Sequence, residues 1–95
     1  MAIKVIVRRK VSQGKETELL PLLLELRAKA TSQSGYISGE TLRGVDDAEE
    51  YLVIGTWKSI ENWKEWESSP ERTLILEKVD ALLGEKTEYS VYYYG

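Results

Sequence analysis

Trp57, Trp63 and Trp66 fall within the stretch WKSIENWKEWESS, residues 57–69, and they are all the tryptophans of the chain. An indole offers a broad, rigid, apolar face. Three of them so close together can either fill the volume under a short helix or wall a flat aromatic site. Tyrosine is the second concentration, with six residues, of which Tyr51 lies just ahead of Trp57. A phenol can orient a substrate hydroxyl or carry a proton, although strand propensity alone also explains tyrosines in strands. What is missing restricts the chemistry further. The chain has no histidine and no cysteine, which removes the usual general base near neutral pH, the usual haem and zinc ligands, thiol nucleophiles and disulfides. Glu61, Glu65, Glu67 and Glu71 read as a solvated acidic helix face. No spacing brings three metal ligands together, so no metal site is expected. Arg8 and Arg43 could pair with substrate oxygens, but long basic side chains on half-exposed strands are more often solvated.

The elements that would position these residues follow from periodicity. Residues 2–9 alternate, with Ile3, Val5 and Val7 on one face and Lys4, Ile6 and Arg8 on the other, which predicts a strand. From about 15 to 32 the apolar residues Leu19, Leu22, Leu23, Leu26 and Ala30 form a helical stripe, with Pro21 predicting a kink or a later start. A second strand begins after Gly35, with Gly39 as a candidate bulge. EYLVIGTW, residues 50–57, forms the third strand and puts Tyr51, Val53, Gly55 and Trp57 on one face. Ser59 caps a short helix carrying Trp63 and Trp66, and Ser69 with Pro70 starts another that ends at Gly84. Residues 86–94 complete a tyrosine-rich last strand.

This order predicts one domain, residues 1–95, of the α+β class: a ferredoxin-like βαββαβ fold with a four-stranded antiparallel sheet and helices on one face. Ile6, Leu52, Ile54 and Tyr92 fall on the uncovered face, which predicts a homodimer packed sheet to sheet. The net charge of −3 and the scattered basic residues argue against nucleic acid. The apolar start is too short for a signal peptide, and LLPLLLEL at 19–26 is too short to span a bilayer. These features read as a cytoplasmic protein with no membrane partner.

The segments VIVRRKVSQGKETELLPLLLELR, GYISGETLR and above all YLVIGTWKSIENWKEWESSP resemble the antibiotic biosynthesis monooxygenase family, dimeric α/β-barrel proteins. The resemblance covers nearly the whole chain. It implies several activities, because the family includes cofactor-free oxygenases of aromatic polyketides, quinol oxygenases and haem-degrading enzymes. The haem-degrading members use an Asn, a Trp and a His, at positions matched here by Val7, Trp66 and Leu76. Only the Trp is kept, so haem degradation is not expected. The polyketide oxygenases place an Asn four residues before the strand-end Trp and a Tyr six residues after it. Those positions hold Val53 and Trp63 here, and Trp57 matches the strand-end Trp.

The resemblance and the retained aromatic residues together imply a cofactor-independent monooxygenase of a small aromatic or quinol. Its pocket would be lined by Trp57, Trp66 and Tyr51, with Val53, Val7, Leu76 and Trp63 around them. No catalytic residue stands out. Such an enzyme must desolvate an electron-rich phenol, hold it flat and favour its anion. The competing reading is a non-catalytic dimeric module that binds a small apolar ligand, and an isomerase or lyase on a related barrel is a third.

Overall fold

The computed structural model describes residues 1–95. The chain runs β1 (Ile3–Lys10), α1 (Glu16–Thr31), β2 (Tyr36–Arg43), β3 (Glu50–Trp57), α2 (Ile60–Glu67), α3 (Pro70–Leu83) and β4 (Glu88–Tyr93). The strands form a single antiparallel sheet in the order β2-β3-β1-β4. This is the expected ferredoxin-like α+β arrangement, with its second helix broken into α2 and α3.

The register aligns the covered face of the sheet. Ile3, Val5, Val7 and Arg9 stand opposite Trp57, Gly55, Val53 and Tyr51. Two apolar clusters form between that face and the helices. One contains Ile3, Val5, Ala30, Trp57, Trp63 and Trp66, and the other Val11, Leu19, Ile75 and Val79. Leu26 of α1 packs against both, so α1 spans the seam between them.

The helix boundaries obey local chemistry. Ser59 Oγ accepts from the Asn62 N–H at 3.1 Å, and Ser69 Oγ accepts from the Arg72 N–H at 3.2 Å. Each bond satisfies one of the free donors of a helix start. Pro70 occupies the first turn of α3, where no N–H is needed, and Gly84 closes the helix in the left-handed region at φ 73°. α1 begins at Glu16 despite Pro21, so the proline removes one N–H from the helix without delaying its start. No side chain caps the start of α1, but Lys15 Nζ donates to the Leu82 carbonyl at 2.7 Å, which satisfies a carbonyl at the end of α3 and ties the two helix ends together.

The bulge of β2 is not at Gly39. The register shifts between Tyr36 and Ser38, whereas Gly39 pairs regularly with Gly55. Gly39 is small for another reason: a Cβ there would lie 2.7 Å from Tyr36 Oη. The two facing glycines leave a hollow in the sheet beneath α1. No helix is long and apolar enough to cross a membrane.

Candidate functional site

The hollow is the floor of a half-open cavity of about 120 Å³ between the sheet and the helices. Val5, Val7, Val53 and Trp57 come to it from the sheet, Leu23, Leu26 and Ala30 from α1, and Trp63, Trp66 and Leu76 from α2 and α3. The volume is close to the roughly 150 Å³ that holds a benzene ring in an engineered apolar cavity. A single aromatic ring therefore fits, and a fused polycycle would have to project from the mouth.

The aromatic wall is held by mutual contact. Trp57 stacks on Trp66 with centroids 6.4 Å apart and planes inclined by 23°, while Trp63 and Tyr36 meet Trp57 edge-on at 5.9 and 5.4 Å. Each such pair is worth about 0.5–1.5 kcal/mol beyond its burial. All three indoles are buried, yet each also presents part of its surface to the cavity. They build the core and the wall together.

Six of the residues expected at a pocket meet here: Val7, Val53, Trp57, Trp63, Trp66 and Leu76. Tyr51 does not. It lies on the covered face as expected but packs against the second cluster, one pleat beyond Val53. Its hydroxyl is taken by Arg43 Nη2, and the Arg43 guanidinium lies 5.0 Å from its ring centroid. Arg43 itself is exposed, and Arg8 makes only a 4.0 Å surface pair with Glu50. Neither of these two arginines lines the cavity.

Two other arginines do. Arg9 and Arg72 are 6% and 8% exposed, and both line the cavity. Arg9 follows Ile3, Val5 and Val7 in the same period of two, so the alternation carries it inward. The run RRK at 8–10 looks like a solvated end, which conceals this. Arg72 sits at the third position of α3, fixed by the Ser69 cap, and its Nη1 reaches back to the Glu67 carbonyl at 3.1 Å. Its guanidinium lies 5.2 Å from the Trp63 ring and 5.4 Å from the Tyr89 ring.

Magnitudes separate the two. Taking a guanidinium out of water costs several kcal/mol. Arg72 regains much of this from two cation–π contacts, up to about 2 kcal/mol each, and a charged hydrogen bond of about 1.5–3 kcal/mol. Arg9 has one hydrogen bond, from Nη1 to Thr87 Oγ1 at 2.7 Å, and Thr87 in turn donates to Asp80 Oδ1 at 2.5 Å. Its Nε is buried without any hydrogen-bond partner. Burial lowers the pKa of both guanidiniums from its ordinary value. Asp80 acts in the opposite direction on Arg9, while the charge of Arg72 adds to the lowering. Both remain cationic at neutral pH.

Tyr36, Thr41 and Arg27 complete the lining. The Arg27 Nη2 atom lies over Gly39, 3.4 Å from where a Cβ would stand, which puts an exposed cation at the rim. Nothing in the periodicity marks Tyr36, which enters the wall because the β2 bulge falls directly after it.

Similarity to known proteins agrees with the fold. A conserved protein from Methanosarcina mazei Go1 superposes with a TM-score of 0.91 at 20% identity, over 100% of this chain and 94% of that one. SnoaB of Streptomyces nogalater, a cofactor-independent oxygenase, superposes at 0.86 with 18% identity, over 99% of this chain and 93% of that one. A protein from Mycobacterium tuberculosis also reaches 0.86, at 19% identity over 100% and 96% of the two chains. At these identities the likeness is one of fold. No curated protein matches the sequence. The sequence profile named antibiotic biosynthesis monooxygenase matches residues 2–78. The six residues that the sequence resemblance singled out, Val7, Val53, Trp57, Trp63, Trp66 and Leu76, line one cavity, and the chain belongs to the antibiotic biosynthesis monooxygenase family.

Proposed function

We propose that the chain is a cofactor-independent monooxygenase of a single-ring phenol or quinol bound in the aromatic-walled cavity. The observation that carries this reading is a ring-sized cavity of about 120 Å³ whose wall is a stacked Trp57–Trp66 pair. Family membership supports the reaction class.

With no external reductant, the substrate supplies all the electrons. A deprotonated phenol passes one electron to dioxygen, and the resulting radicals join at a ring carbon to form a peroxide. That carbon then loses its proton, the O–O bond breaks, and the distal oxygen leaves as water. One dioxygen thus converts a phenol to a quinone and water, or a quinol to a hydroxyquinone and water. The protein's part is to exclude water from the ring, keep it flat against the indoles and stabilise the anion. Metal-free protein should give saturable oxygen uptake above autoxidation with single-ring quinols. Uptake no faster than autoxidation across a panel of quinols and phenols would count against the reading.

Val7, Val53 and Leu76 favour a second reading. They are apolar where relatives carry hydrogen-bonding or ligating groups, which suits a module that binds without turnover. Saturable binding of quinols with no uptake would select it.

We also propose that two copies pair through their open sheet faces. Ile6, Leu52 and Ile54 are half-buried on that face, and Leu42 and Tyr92 are 46% and 49% exposed. A second sheet would cover this surface.

A further inference from the structure

The charged lining of the cavity is of one sign. Of its 17 lining residues 11 are hydrophobic, and the others are Arg9, Arg27, Arg72, Thr41 and the two glycines. No Asp or Glu faces it, in a chain whose net charge is −3. Arg9 and Arg72 also stand outside the ion pairs of the chain, which are Arg8–Glu50 and Lys10–Asp47. The carboxylate of Asp80 makes no direct hydrogen bond to Arg9: it is linked through the Thr87 hydroxyl and otherwise acts on both guanidiniums by its charge alone. Arg9 Nε remains a buried donor on a cationic group with no acceptor in the chain. Folded proteins rarely leave such a donor unmet, and an acceptor on a ligand would meet it.

We propose that the cavity selects aromatic molecules bearing a negatively charged oxygen, with Arg9 and Arg72 holding that oxygen while the indoles hold the ring. The proposal rests on reading the cavity as the substrate site and narrows what enters it. An aromatic carboxylate and a phenolate share this chemistry. Guanidinium hydrogen bonds to an anionic oxygen are shorter and stronger than neutral ones, and they gain further where water is excluded. Arg27 at the rim draws the same anion inward. For a phenol, two neighbouring cations lower the pKa of the bound hydroxyl, so the electron-rich form is the one held.

The test is anaerobic binding to the metal-free protein, which separates recognition from turnover. Benzoate is titrated against benzamide, its neutral counterpart of similar shape, and 4-nitrophenol is followed by its phenolate absorbance as pH is raised. Asp80, Glu67 and Tyr89 are the titratable neighbours of the pair. Running the benzoate and benzamide titrations across the same pH range separates their effect from the ligand's own ionisation. Benzoate should bind at least tenfold more tightly than benzamide, and bound 4-nitrophenol should ionise at lower pH than free. Either result alone supports the site and assigns it to carboxylates or to phenolates. Arg9→Met, which keeps an apolar stem and removes the orphaned donor, should hold or raise Tm and abolish the preference. Arg72→Gln should weaken it at least several-fold. Equal binding of benzoate and benzamide with an unshifted 4-nitrophenol overturns the proposal. So does an Arg9→Met protein that loses stability and keeps the preference, because Arg9 would then be structural. Oxygen uptake is read separately. Anion preference without uptake contradicts the oxygenase reading alone, and uptake without anion preference contradicts this inference alone.

Discussion

Trp66 and Tyr51 make opposite predictions although both were expected at the pocket. Trp66 stacks on Trp57 and faces the cavity, so Trp66→Phe should cost about 1–3 kcal/mol of stability and weaken binding of a single-ring phenol several-fold. Tyr51 packs on the second cluster, and its hydroxyl accepts from Arg43 Nη2. Tyr51→Phe should therefore leave phenol affinity within about twofold, since only an exposed hydrogen bond is lost. Titration of both variants, with Tm measured alongside, checks the pair. A Tyr51→Phe protein that loses binding while Trp66→Phe keeps it would contradict the lining described here. The indoles were legible because their spacing puts Trp63 and Trp66 on one helix face. Alternation alone could not tell which cluster Tyr51 would join, because a period of two fixes the face of a strand residue and not its neighbours across the layer. Arg9 was hidden for a different reason: charge suggested solvent while the strand period pointed inward, and the period prevailed.

At the scale of elements, the site depends on two features that hold no substrate. The Ser69 cap fixes the first turn of α3 and with it Arg72. Ser69→Ala should cost about 1 kcal/mol, and binding of an aromatic anion should fall with it, more than binding of a neutral ring. Equal loss for both ligands would mean that the cap only stabilises the helix. The facing glycines Gly39 and Gly55 make the floor. Gly39→Val would direct its side chain at Tyr36 Oη and into the hollow, so ligand binding should be lost while the far-ultraviolet circular dichroism stays that of the folded protein. Unchanged affinity would place the ligand elsewhere. Strand and helix order, the serine caps and the Gly84 stop could be read directly, since each rests on local chemistry. The bulge after Tyr36 could not, because the glycine that suggested a bulge lines the cavity instead and pairs in regular register.

For the whole molecule, only 13 of 95 residues are buried, a small core for a domain that also keeps a cavity open. A sheet-to-sheet dimer would bury the apolar open face and add what the single core lacks. Ile54→Lys, at the centre of that face opposite Ile6, should shift the protein from dimer to monomer in light scattering coupled to gel filtration. A wild-type monomer at micromolar concentration would contradict the pairing. The central claim is that the cavity lets a phenolic ring react with dioxygen without a cofactor. Its most direct measurement uses isotopically labelled dioxygen with metal-free protein and a single-ring quinol, followed by mass spectrometry of the product. The account predicts one labelled oxygen atom per product molecule, formed faster than by autoxidation and lost in Trp66→Ala. Product that carries no label, or labelled product formed only at the autoxidation rate, would contradict it.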